Sequence, residues 1–281
     1  MKKIIAMLLA VVMVLSLAAC GAKEEAPATT AAAAAETEAA AAETEAVAEA
    51  AFTTIEEGKL IMSTNAAFPP YEMVADDGSF EGIDVEVAGA IAAKLGLTLE
   101  IDDMDFDAAL LAVQNGKSDI VMAGVSVTPD RELVMNFSDS YATGVQVVII
   151  KEGSDVTMDN LGEKMIGCQR GTTGYIYASD SPENGGYGED HVTAYDNGAS
   201  AVQALMNGQV DCVIIDSAPA AEFVAANPGL TILDTEYVTE NYAIGLGKDN
   251  TALLEAVNGA LAELTADGTV QSIIDKYISA N

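Results

Sequence analysis

The feature that most restricts how this chain can fold is an internal repeat. An Asn115-Gly116 turn leads into Asp119-Ile-Val-Met-Ala-Gly124, and Asn207-Gly208 leads into Asp211-Cys-Val-Ile-Ile-Asp216. Laying one turn over the other sets Asp119 on Asp211 and Gly124 on Asp216. Strands and helices alternate around both runs. Residues 59–64 and 97–101 read as strands, and residues 85–95 and 105–113 as amphipathic helices ending near Gly96 and Gly116. The second copy offers strands at 164–169 and 192–195 and a helix at 199–206. A helix at 219–226 and a strand at 230–233 follow, then an amphipathic helical segment over 251–278 that breaks at Gly268. This pattern predicts an α/β fold of two lobes, each a mainly parallel sheet flanked by helices. Ligands of such sheets bind outside the carboxyl ends of the strands. Asn65, Gly124, Gln169 and Asp216 stand at those ends, so facing lobes would bring all four to one cleft.

The stretch Gly124-Val-Ser126-Val-Thr128-Pro-Asp-Arg131 adds chemistry to that placement. Gly124 lets another molecule approach the backbone. Thr128 suits a helix N-cap, Pro129 the first helical position, and Asp130 the positive end of the dipole. Arg131 does not suit its place, since a cation in the first turn opposes the dipole by about 0.3–1 kcal/mol. A bound carboxylate would offset this, because a guanidinium fork takes a carboxylate bidentately. The alternative is an arginine paired with Asp130, Glu132 or Asp139. Asp216 likewise reads either as an acid of the cleft or as a strand-end helix cap.

The amino terminus has a different composition. A basic Met1-Lys2-Lys3, an apolar segment over 4–17 and small residues before Cys20 make an export signal. Leu17-Ala18-Ala19-Cys20 resembles a bacterial lipobox, which implies removal of residues 1–19 and a lipid anchor on Cys20. Residues 21–51 are Ala, Glu, Thr and Pro with little to pack, which makes 20–51 a tether between membrane and body. With 44 acidic against 12 basic residues the formal charge is −32, the wrong sign for a nucleic-acid surface. Cys168 and Cys212 read as buried thiols, although export permits a disulfide. No His, Cys and carboxylate spacing suggests a zinc site, and no cofactor is expected.

Taken in order, Asn65-Ala-Ala-Phe68-Pro-Pro-Tyr71, Gly82-Ile-Asp84-Val-Glu, Gly124-Val-Ser126-Val-Thr128-Pro-Asp-Arg131, Gly171-Thr172-Thr173-Gly and Asp211…Asp216 resemble a known family. It is the polar-amino-acid-binding lipoproteins of ABC importers, in the type II periplasmic-binding-protein class, and the likeness covers residues 52–278. The resemblance implies two lobes joined by a two-strand hinge near 141–144 and 239–243. Residues 52–142 and 242–281 would form lobe 1 and residues 143–241 lobe 2. It implies that Arg131 binds the α-carboxylate of an amino acid with help from backbone donors at Ser126 and Thr173. Asp216, Gly124 and Ser126 would receive the α-ammonium. Phe68 and Phe106 would wall the side chain, with Tyr71 nearby and Asn65, Gln169 and Thr172 within reach of it. Many relatives carry an acid where Asn65 stands, and a neutral amide weakens the case for a cationic ligand. The expected partners are an amino acid and a membrane ABC permease, with the protein itself a non-enzymatic monomer. Two rivals share the fold: a dehydratase acting on prephenate-like acids, and a ligand sensor for a membrane receptor.

Overall fold

The computed structural model describes residues 52–278. The expected signal, Cys20 and tether lie outside the described residues. The chain runs β1 (Lys59–Thr64), β2 (Ala67–Phe68), β3 (Glu72–Val74), β4 (Phe80–Glu81), α1 (Ile83–Lys94), β5 (Thr98–Asp103), α2 (Phe106–Gln114), β6 (Ile120–Val121), α3 (Pro129–Val134) and β7 (Met135–Lys151). It continues through β8 (Ile166–Gln169), α4 (Thr173–Ser179), β9 (Val192–Tyr195), α5 (Gly198–Met206), β10 (Cys212–Asp216), α6 (Ser217–Ala226), β11 (Leu230–Ile232), β12 (Val238–Gly247), α7 (Thr251–Ala266) and α8 (Thr269–Tyr277).

One mixed sheet unites the fold, in the order β5-β1-β6-β12-β7-β10-β8-β9, with β11 beside β7. Strands β5, β1 and β6 are parallel to one another, as are β10, β8 and β9. The antiparallel pair β7 and β12 joins these two parallel blocks, and at their middle Gly144 faces Glu240 and Ala142 faces Tyr242. The family resemblance implied a crossing here but not the length of β7. Its first half is interrupted by Ser138, Asp139, Ser140 and Thr143, which hide the strand period.

Side-chain alternation builds the layers. Val147 and Ile149 of β7 and Val213 and Ile215 of β10 face the cluster shared with α5. Their neighbours Val148, Ile150, Cys212 and Ile214 face the opposite cluster with Ala178 of α4. In the first block Ile120 and Met122 join Leu60 and Met62 on the α1 face, while Val121 and Ala123 pack on Phe106, Leu110 and Val113 of α2. Truncating a fully buried residue such as Ile149 to Ala removes about 2–5 kcal/mol. Cys168 and Cys212 are buried free thiols.

The repeat appears as matched hydrogen bonds. The Asp119 amide donates to the Ile61 carbonyl while its Oδ2 accepts from the Ile61 amide at 2.8 Å. Asp211 does the same with Met165, whose amide donates to Oδ2 at 2.8 Å. Asp119 also accepts from Ile55 at 2.8 Å. Each aspartate thereby fixes the start of the strand that ends at the cleft. The segment after Asn65, read as a loop, instead forms the small sheet β2-β3-β4. Strands of two and three residues are too short to show a period.

Candidate ligand-binding site

Ten of the eleven residues singled out for the ligand line one cleft between the two parallel blocks: Asn65, Phe68, Phe106, Gly124, Ser126, Arg131, Gln169, Thr172, Thr173 and Asp216. The free cavity left between these side chains is small, about 30 Å³. Tyr71 stands behind its wall, stacked on Phe68 at 5.7 Å and edge-on to Tyr242 at 5.3 Å. The cleft is closed. The Gln169 amide donates to Asn65 Oδ1 at 2.9 Å from the opposite side, and Arg131 reaches over to the Gly171 carbonyl at 3.1 Å.

Arg131 sits as its sequence context requires. Thr128 caps α3 and accepts from the Arg131 amide, with Pro129 in the first turn. The side chain is 7% exposed, and its guanidinium donates to the Ser126 carbonyl at 2.8 Å and to Gly171. It also lies over the Phe106 ring, 5.5 Å from the centroid. Asp130 and Glu132 are exposed, and no carboxylate among the described residues comes within salt-bridge distance of the guanidinium. The pairing alternative therefore fails, and Arg131 keeps bidentate capacity unused. Burial pulls its pKa below the usual value, against the opposing charge of Glu240.

Asp216 fills both of the roles considered for it. Its Oδ1 accepts from the Ala218 amide at 2.9 Å and caps α6, while Oδ2 accepts from the Val145 amide at 2.8 Å. At 1% exposure its carboxyl is pushed by burial up to about 6, despite those two amides. Gly124, at the equivalent strand end, has φ +54°, and a Cβ there would lie 2.9 Å from the Phe68 ring. Its amide donates to Asp84 Oδ2 at 2.9 Å, and Asp84 Oδ1 accepts from the Tyr141 hydroxyl at 2.6 Å. Burial pushes Asp84 up to about 6 as well.

The structure adds residues that sequence reading missed. Glu72, Ala123, Gln146, Ile214, Ile215 and Tyr242 also line the cleft. Glu72 is fully buried, and neither carboxylate oxygen has a hydrogen-bond donor among the described residues. Burial, then the neighbouring charge of Asp84, pushes its carboxyl well above the usual range. Glu240 lies under the cleft with Ser126, Gln146 and Thr173 donating to it. The alternation of β12 contains the signal for this one, since Glu240 shares a face with the buried Tyr242 and Ile244.

An enclosed cleft between two α/β halves, with one buried cation and one buried anion on its walls, defines a two-lobed solute-binding protein of the type II periplasmic class. The family model for bacterial extracellular solute-binding proteins, family 3, matches residues 60–280. The chain is 31% identical over 224 residues to ABC transporter arginine-binding protein 1 of Escherichia coli (strain K12), covering 78% of this chain and 90% of that protein. It is 31% identical over 242 residues to a probable histidine-binding protein of Neisseria gonorrhoeae, covering 82% and 87%. The solved structure of an ancestral arginine-binding protein bound to glutamine superposes with a TM-score of 0.74 at 36% identity, covering 80% of this chain and all of that one. The chain belongs to family 3 of the bacterial extracellular solute-binding proteins.

Proposed function

We propose that this protein captures an L-amino acid with a cationic side chain and delivers it to an ABC-type importer. The observation that carries the reading is Arg131, buried without a carboxylate partner on the cleft that also holds Asp216. A zwitterion satisfies both, with its α-carboxylate on the guanidinium and its α-ammonium on Asp216, Gly124 and Ser126. Both charges are withdrawn from water when the cleft is closed, so a ligand lacking either partner leaves one uncompensated.

Glu72 supports the cationic side chain. Asn65 is neutral, but Glu72 places a buried carboxyl, neighbouring that of Asp84, on the same wall beside Phe68. A guanidinium sandwiched by Phe68 and Phe106 would draw the Glu72 carboxyl into its ionised form and pair with it. The relative named for arginine favours the same choice. Asn65, Gln169 and Thr172 are assigned to the side-chain end, and Tyr71 to the support of Phe68.

The rest of the proposal concerns how the protein works outside the cell. Residues 1–19 direct export, Cys20 carries the lipid, and 20–51 tether a monomeric body to the membrane. Lobe 1 (52–142 and 242–281) and lobe 2 (143–241) close on the ligand about the β7–β12 crossing, and the permease reads the closed form. Binding, not turnover, is the activity, as the binding proteins among its relatives support.

The test is calorimetric titration of residues 52–281, unfolded and refolded to strip carried-over ligand, against the twenty amino acids. Arginine is expected among the tightest, with binding lost in Arg131→Ala. Neutral amino acids alone binding would overturn the cationic assignment. No amino acid binding, or Arg131→Ala binding unchanged, would overturn the cleft itself.

A further inference from the structure

The strands that join the two halves carry one buried acid that the reading above leaves without a role. Glu240, on β12 opposite Gly144 of β7, is 8% exposed. Its Oε2 accepts from Ser126 Oγ at 3.1 Å, from Gln146 Nε2 at 3.2 Å and from Thr173 Oγ1 at 2.7 Å. Ser126 comes from the first half of the fold, and Gln146 and Thr173 from the second. One oxygen on the connecting pair thus gathers donors from both sides. The other oxygen, Oε1, is buried with no donor among the described residues.

The consequence lies in where the hydroxyl protons point. A carboxylate only accepts, so Ser126 and Thr173 each give their single hydroxyl proton to Glu240. Both residues also line the cleft, and the hydroxyls can then offer it only lone pairs. Released from Glu240, the same hydroxyls would rotate and donate, which suits a carboxylate instead. The under-satisfied Oε1 adds negative potential at the same spot.

We propose that Glu240 is a positioning residue for the ligand's α-ammonium, fixing Ser126 and Thr173 as acceptors toward the cleft. Because the donors come from both halves, this polarity is complete only in the closed form. The proposal rests on the amino-acid reading of the cleft.

The experiment compares L-arginine with 5-guanidinopentanoate, which is arginine without its α-amine. Wild type, Glu240→Gln and Glu240→Asp are titrated with both, and each variant is melted to confirm that it folds. If arginine is not bound, the tightest-binding amino acid and its deaminated analogue replace the pair. Wild type is expected to prefer the amino acid by about 100-fold or more, the ratio of a buried unpaired charge. Glu240→Gln, which supplies a donor where only acceptors stood, is expected to shrink that ratio at least about tenfold. Glu240→Asp keeps the charge but is one methylene shorter, and its ratio should fall between the two. Should Glu240→Gln not fold, the Glu240→Asp ratio decides the matter. An unchanged ratio, or equal weakening of both ligands, would make Glu240 a structural prop and overturn the proposal. Wild type binding no amino acid at all would instead overturn the cleft reading, and this proposal with it.

Discussion

The ends of the β6 and β10 segments hold equivalent places in the repeat and differ completely. Both strands start on an aspartate that exchanges hydrogen bonds with the parallel neighbour, Asp119 with Ile61 and Asp211 with Met165. At the far end one carries Gly124 and the other Asp216. The strand starts, remote from the ligand, carry the same residue, which does the same work in both halves. The strand ends face one shared ligand from opposite sides, so they have no reason to match. Gly124 clears space and Asp216 supplies charge.

The largest effect should come from breaking the Asp216 end without disturbing its cap. Asn is as good an N-cap as Asp, so Asp216→Asn keeps the Ala218 bond but removes the charge. Amino-acid affinity should fall by at least about 100-fold, roughly 3 kcal/mol, while the thermal midpoint drops, because the Asn amide nitrogen would face the Val145 amide from which Oδ2 accepted. Titration and melting of the same sample read the two numbers. Affinity retained in Asp216→Asn would reduce Asp216 to a cap.

At the strand starts the comparison is one of degree. Asp119 is buried and accepts two amides, whereas Asp211 is exposed and accepts one. Asp119→Ala should therefore cost about 2–4 kcal/mol and Asp211→Ala about 1 kcal/mol, measured by denaturant unfolding. Equal costs would mean that burial does not set the difference.

The repeat and the strand-end rule made these four positions legible in the sequence, and Arg131 announced itself by standing in the wrong turn of α3. Glu72 gave no such sign. It follows Pro69-Pro70-Tyr71 and sits in a three-residue strand, where one buried acid looks like any surface acid in a chain this rich in them. Glu240 was legible only to someone who already knew that β12 was a strand. Long-range pairing decided both, and neither is written within a few residues of the acid.

The pH dependence sharpens the comparison, because the charged strand end should titrate and the glycine end should not do so directly. Burial raises Asp216, and Asp84 beneath Gly124, from ordinary carboxyl values to about 6. The folded protein therefore holds protons that the unfolded chain has lost between about pH 4 and 6. This stabilisation of the empty protein is fully present below about pH 4 and lost as pH rises through 6, at about 3 kcal/mol for each two-unit shift. Ligand affinity should run the opposite way, since an ammonium needs ionised Asp216. It should weaken by about tenfold per unit as pH drops below 6. Melting without ligand and titration with it, across pH 4 to 8, should give slopes of opposite sign. Asp216→Asn should remove its share of the stability slope, leaving the parts due to Asp84 and Glu72.

The smallest effect belongs to the glycine end. A side chain at φ +54° costs about 1–2 kcal/mol, and a Cβ at Gly124 would press on the Phe68 ring at 2.9 Å. Phe68 is a wall of the cleft and leans on Tyr71, so the ring can yield only by shifting that stack. Gly124→Ala should thus lose about 1–2 kcal/mol of stability and roughly tenfold in affinity, with the amine-free analogue weakened as much as the amino acid. That last equality separates the two ends. At Asp216 a lost charge selects against the ammonium, whereas at Gly124 lost space penalises every ligand that needs the Phe68 wall.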